Sequence, residues 1–323
     1  MARSVQRMLL GGMEIGRRLD ETASALAVSA FNNAGFTEID TAYMYSDGKS
    51  ERILGRLCEV ISDKVSIATK ANPWEGKGLG ADSVRAQLCE SLQRLKSPSV
   101  DVFYLHAPDH GTPIEETLQA CNQLHKEGKF KELGLSNYAS WQVAEMCILC
   151  QQRGWLCPSV YQGMYNALTR QVETELFPCI RHFGMRFYAY NPLAGGFLTG
   201  KYIYNDLEKT PEGRFFGNAW AETYRKRYWK LVLFQELDKV KTSLDKAYGP
   251  GKVALTEASL RWLQHHSQLD EKHGDGVILG VSNLAQLHQN LMAITGGPLH
   301  ESVVEAFQQA WNVIAHDCPN YFR

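Results

Sequence analysis

Eight short apolar runs recur along this chain, each followed by a stretch with a helical pattern, and that alternation admits few folds. The runs are MLLGGM (8–13), TEIDTA (37–42), VSIATK (65–70), DVFYLHA (101–107), ELGLSN (132–137), SVYQGM (159–164), RFYAYNP (186–192) and GVILGV (276–281). Between them lie segments such as SVRAQLCESLQRL and PIEETLQACNQLHKEG; the second has a Pro and acids at its start and Gly128 at its end, as helix caps prefer. Strands that alternate with helices run parallel and are joined by right-handed crossovers, so eight of them predict an α/β fold, a (β/α)8 TIM barrel. A doubly wound sheet is the alternative, but it usually opens with a glycine fingerprint, and GGMEIGRRLD lacks G-x-G-x-x-G. The one long interruption, residues 193–227 after the seventh run, predicts a functional loop. A C-terminal tail follows the last helix, and residues 1–323 are expected to form a single domain.

Composition narrows the function. With 44% hydrophobic and 21% charged residues the chain can bury a large core, and a formal net charge of −1 argues against a nucleic-acid binder. No apolar run approaches the roughly 20 residues of a membrane helix. The opening MARSVQRMLLGGMEIGRR lacks the apolar core of a signal peptide, so a cytoplasmic location is expected. Eight cysteines are too sparse for a disulfide scaffold. Cys147 and Cys150 have no second pair at zinc spacing, which predicts small apolar core residues and no metal.

In a barrel of this kind chemistry sits at the C-terminal ends of the strands. The polar residues there are Asp40, Lys70, His106, Ser136, Asn137 and Gln162, with Tyr45 in the turn beyond Asp40. Taken singly, such residues make turns, meet solvent or bond within a core. Several at successive strand ends point to a shared site, because burying Asp40 and Lys70 is costly unless they pair. Tyrosine, with a pKa of about 10, is a poor acid at neutral pH, and a buried ammonium beside it is expected to lower that value. Asp40 would hold Lys70 in place, His106 would orient a carbonyl, and Tyr45 would protonate its oxygen as hydride reaches the carbon. Two decoys fall away. GGFLTGKY nearly spells a phosphate-binding loop, but position 202 is Tyr where the motif needs Ser or Thr. YRKRYWK (224–230) is a single basic-aromatic stretch in a near-neutral chain, in keeping with a solvated helix start or a pocket wall.

These residues resemble the aldo-keto reductases. GFTEIDTAYMYSDGKSERILG, IATK, FYLHAPD, GLSNY and YQGMYN look like motifs of that family, and the resemblance runs from about residue 8 to the end. NPLAGGFLTGKY, GRFFGNAWAETYRKRYW and CPNYFR are similar to its aflatoxin-aldehyde and succinic-semialdehyde reductase branch. The resemblance implies NADPH-dependent reduction of small-molecule aldehydes by a homodimer, with Tyr45 as acid and Asp40, Lys70 and His106 as its partners. Tyr43 competes for that role, but family spacing places the acid five residues after the Asp. It further implies that Asp40, Ser136, Asn137 and Gln162 lie at the nicotinamide, the last three bonding its carboxamide, and that Tyr190 stacks on the ring. Asn191, Pro192, Leu193, Gly195, Gly196, Gly200 and Lys201, with Arg214, would cover the pyrophosphate. Ser282, Gln286, Gln289 and Asn290 would surround the adenosine phosphate, and Tyr224 and Arg227 would line the substrate pocket beside Tyr45 and His106. One departure stands out. Many family members read the 2′-phosphate with a Lys and an Arg just after the eighth strand, and LGVSNLAQLHQN contains neither. The rival reading is a cofactor-binding regulatory module, since potassium-channel β subunits share this barrel.

Overall fold

Strand β1 (Arg7–Gly11) pairs in parallel with β2 (Glu38–Asp40) on one side and β8 (Gly276–Gly280) on the other, and this double pairing closes the sheet. Between them run β3 (Ser66–Ala71), β4 (Val100–Leu105), β5 (Phe130–Ser136), β6 (Val160–Met164) and β7 (Arg186–Tyr190), all parallel and in sequence order. The computed structural model describes residues 7–58, 65–208, 213–218 and 220–323. The fold is the expected (β/α)8 TIM barrel, and each apolar run read from the sequence overlaps one strand. Several strands are shorter than their runs, β2 and β7 most of all. β2 keeps three residues, and β7 stops at Tyr190 because Asn191 turns to a φ of 57°, a left-handed conformation that Asn tolerates better than most residues.

The crossovers hold α1 (Glu21–Asn33), α2 (Lys49–Cys58), α3 (Ala81–Leu95), α4 (Ile114–Lys126), α5 (Ser140–Arg153) and α6 (Leu176–His182). Asp20 caps α1 by accepting from the Ala23 amide, and Pro113 leads into α4 as the sequence predicts. Cys147 and Cys150 lie buried on α5, and burial pushes each thiol up to about 12. The long segment after β7 is partly ordered as 3-10 turns (Ala194–Thr199 and Tyr204–Glu208) and then α7 (Ala221–Tyr228). Two more helices, α8 (Leu231–Tyr248) and α9 (Leu255–His265), precede β8, and α10 (Leu284–Ala293) and α11 (Glu301–Ile314) follow it. Among the described residues no helix is long and apolar enough to cross a membrane.

Strand side chains alternate between two environments. Those facing the helices join one extended apolar cluster, whereas Leu9, Ala68, Val102, Tyr104, Val160, Tyr188 and Ile278 fill the barrel interior. Each fully buried side chain of this size contributes about 1.5 to 3 kcal/mol. Gly134 leaves room for the Tyr104 ring: a Cβ there would lie 2.3 Å from its Cδ1. Below this layer Tyr188 Oη donates to Glu38 at 3.1 Å and accepts from Arg7 and Arg186, plugging the N-terminal mouth with ion pairs. Two residues further up the same inward faces stand Asp40, Lys70, His106, Ser136, Gln162 and Tyr190. The period of two that builds the core therefore also delivers the polar ring.

Candidate active site

Asp40 and Lys70 are both about 2% exposed or less, yet both are fully partnered. Lys70 Nζ donates to both carboxylate oxygens of Asp40 at 2.8 Å and to the Thr41 carbonyl at 2.7 Å. Gln162 Nε2 donates to Asp40 Oδ1 from across the barrel, also at 2.8 Å. Removing one partner from such a pair strands a buried charge and costs about 3 to 5 kcal/mol. Tyr45 follows β2 in a tight turn whose next three residues, Ser46, Asp47 and Gly48, all have positive φ. That turn brings its hydroxyl to 3.4 Å from Lys70 Nζ and 3.5 Å from Asp40 Oδ2. Tyr43, by contrast, stacks under Lys77 Nζ at 3.4 Å and beside Arg94, away from the cluster.

The electrostatics differ from the sequence expectation in one respect. Burial first, and the Asp40 carboxylate second, hold the Tyr45 phenol well above its ordinary value of 10.0. The Lys70 ammonium 3.4 Å away does not outweigh them, since its charge is shared with two carboxylate oxygens and a carbonyl. Lys70 is itself lowered by burial, with Asp40 opposing. His106 is pushed well below 6.5 by burial and then by Lys70 and Arg323, so its imidazole is neutral at pH 7. Its Nδ1 is buried without a partner among the described residues, and its ring meets Trp74 edge-on at 5.0 Å.

Ser136 and Asn137 sit beside His106 at the end of β5. Asn137 donates to the His106 carbonyl at 2.8 Å and to Ser136 Oγ, and accepts from Tyr190 Oη at 3.1 Å. The segment after β7 wraps the same rim. Asn191 accepts from Tyr224 Oη at 2.9 Å while its own Nδ2 is buried and unpartnered. Pro192 and Leu193 lead into the 3-10 turn, where Gly195 (φ 67°) leaves space for the Tyr224 ring, 2.4 Å from a hypothetical Cβ. Gly196 (φ 96°) instead faces open space, with no atom within 4 Å of its Cβ position. Gly200 ends the turn, Lys201 is exposed, and Arg214 ion-pairs with Glu14 through Nη2 while its buried Nη1 has no partner among the described residues. At the β8 end, Ser282 accepts from Arg18, Gln286 accepts from the Ser282 amide as part of the α10 cap, Gln289 is exposed and Asn290 is buried.

On α7, the Arg227 guanidinium lies 5.9 Å from the Tyr224 ring centre. Sequence reasoning missed two neighbours. Arg323 stacks on Trp74 at 5.3 Å, donates its amide to the Asn137 carbonyl at 3.0 Å, and has Tyr190, Arg227 and Tyr224 as electrostatic neighbours. Neither Arg227 nor Arg323 pairs with a carboxylate among the described residues. CPNYFR was conspicuous as a motif, but nothing in its spacing says that it folds back over β5, where Tyr321 Oη accepts from the Ser140 amide. A phenol that keeps its proton, a neutral imidazole beside it and two unpaired guanidiniums nearby can protonate an oxygen and hold an anionic substrate.

Comparison with known proteins agrees. The model described as "Aldo/keto reductase family" matches residues 7–312. The human protein named aflatoxin B1 aldehyde reductase member 2 is 65% identical over 319 residues, covering 98% of this chain and 89% of that protein. Human aflatoxin B1 aldehyde reductase member 4 is 60% identical over 326 residues, 100% of this chain and 98% of the relative. An aldo-keto reductase of Pseudocercospora fijiensis is 42% identical over 295 residues, 89% of this chain and 97% of the relative. With the family match running from β1 into α11 and the human relatives alike over nearly their full length, this chain belongs to the aldo/keto reductase family and is an oxidoreductase.

Proposed function

We propose that the chain reduces aldehydes to alcohols with NADPH. The substrates are small carboxyl-bearing aldehydes such as succinic semialdehyde and 2-carboxybenzaldehyde, ketoaldehydes, and dialdehydes including aflatoxin dialdehyde. The observation that carries the reading is the Tyr45 hydroxyl set against the Lys70–Asp40 pair, 3.4 Å from the ammonium; Arg227 and Arg323, neighbours of Tyr190 and Tyr224 and without a carboxylate partner among the described residues, support it.

The residues present fit a dinucleotide. Arg214 Nη1 and Asn191 Nδ2 are buried donors in want of acceptors, and the open face of Gly196 beside them allows close backbone approach. Arg214 and the Asn191–Lys201 segment would hold the pyrophosphate, Ser136, Asn137 and Gln162 the carboxamide, and Tyr190 the ring. When bound, the cofactor supplies a hydride to the carbonyl carbon. Tyr45 gives its proton to the carbonyl oxygen, and Lys70 stabilises the phenolate left behind. Neutral His106 donates a hydrogen bond that orients the carbonyl, which a protonated or unpositioned ring would do less selectively. Arg227 and Arg323 grip a substrate carboxylate, where a guanidinium can bond both oxygens at once. A single barrel domain, a homodimer and a cytoplasmic setting complete the proposal and rest on the family branch.

The test is Tyr45→Phe, which keeps ring packing and removes the hydroxyl. Positioned proton transfer is worth about 10² to 10⁴ in rate. Stopped-flow hydride transfer is expected to fall by that factor with NADPH affinity nearly unchanged. Retained turnover would move the acid elsewhere.

A further inference from the structure

The β8–α10 segment LGVSNLAQLHQN has no Lys or Arg, yet an NADPH site needs positive charge near the 2′-phosphate, a group of charge about −1.5 to −2 at pH 7. Closure of the barrel supplies it from the other end of the chain. β1 lies beside β8, with Gly11 in register with Gly280, so the loop after β1 meets the loop after β8. There Arg18 Nη1 donates to Ser282 Oγ at 3.3 Å, 264 residues away in sequence.

The surrounding charges leave Arg18 available. Buried Glu14 takes Arg17 at 2.6 Å and Arg214 on a single oxygen, Oε1, while Arg18 Nε stands 3.9 Å from the other. Three guanidiniums around one carboxylate leave surplus positive charge, and Arg18 is the one turned toward Ser282. Its side chain is 35% exposed, and it borders a cleft of about 360 Å³ where Arg17, Lys49, Arg52 and Arg56 outnumber Asp20, the α1 cap, and Glu21, which pairs with Arg56. A monoester phosphate beside Ser282 would meet a guanidinium already oriented by a hydrogen bond; a free 2′-hydroxyl would gain little from it.

We propose that Arg18, held against Ser282, recognises the 2′-phosphate and gives this enzyme its preference for NADPH over NADH. The inference rests on the nicotinamide-nucleotide reading above. It is tested by measuring dissociation constants for NADPH and NADH by quenching of intrinsic tryptophan fluorescence, on the wild-type chain, Arg18→Ala and Arg18→Lys. Loss of a charge-assisted contact is expected to weaken NADPH binding about 10- to 100-fold in Arg18→Ala. NADH binding serves as the control for folding and is expected to change by less than about twofold. Arg18→Lys, which keeps the charge and loses the fork, falls between. Unchanged NADPH affinity in Arg18→Ala, equal losses for the two nucleotides, or a wild-type chain that binds both equally would overturn the assignment and leave the reductase reading standing. A wild-type chain that binds neither nucleotide would overturn both.

Discussion

Asp40, Lys70 and His106 were legible in the sequence because each is a polar residue closing an apolar run, and a barrel gathers such residues in one place. The direction of the Tyr45 shift was not legible. It depends on which atoms already hold the Lys70 ammonium and on how far the ring is shielded from water, and both are set only in three dimensions. The consequence is a pH profile. A raised phenol keeps its proton as pH climbs past 10.0, so the acid proposed for reduction is lost only above that value. A depressed imidazole stays neutral as pH falls past 6.5, so no acid limb from His106 is expected above that value. kcat/KM for a neutral aldehyde is therefore expected to be level between these limits. A fall already under way at pH 8 to 9 would mean that Lys70 controls the phenol after all. Stability carries a matching signature: below pH 6.5 the unfolded chain takes up a proton that folded His106 refuses. Stability from this group is whole above that pH and declines as pH falls, by up to about 1.4 kcal/mol per unit until the folded value is passed.

The elements proposed to carry specificity are less regular than those proposed to carry chemistry, which is why the sequence exposed fewer of their residues. Trp74 lies in the loop after β3, Arg18 in the loop after β1 and Arg323 beyond α11, and none of them belongs to a periodic pattern. The long segment after β7 was visible as an interruption, and YRKRYWK allowed a helix where α7 lies, but the two 3-10 turns were not visible. α7 brings Tyr224 against Gly195 and sets the Arg227 guanidinium 5.9 Å from the Tyr224 ring centre. If Arg227 grips a substrate carboxylate, Arg227→Ala loses about 1.5 to 3 kcal/mol on a carboxylated aldehyde, or roughly 10- to 150-fold in kcat/KM. A neutral aldehyde of similar size loses little. The ratio between the two substrates is the readout, since it cancels any loss of packing by the arginine stem. Equal losses would leave Arg227 as a structural residue of the segment, with Arg323 the remaining candidate for the carboxylate.

The whole molecule was the most legible level, because eight strand–helix alternations leave almost no other way to bury eight two-sided strands. Closure itself adds what no local pattern contains. It sets β1 against β8 and so Arg18 against Ser282, and it lets Gln162 on β6 reach Asp40 on β2. A barrel that binds a nucleotide can still be either an enzyme or a sensor, as fold alone does not fix activity. The shape of the site favours turnover, since a protonated phenol beside a buried ammonium has little use in a passive binding module. Steady-state oxidation of NADPH by the purified chain, with 2-carboxybenzaldehyde or succinic semialdehyde and with the alcohol quantified, tests this most directly. The account requires saturable turnover in which each NADPH consumed yields one alcohol; tight NADPH binding with no alcohol formed from either aldehyde would contradict it.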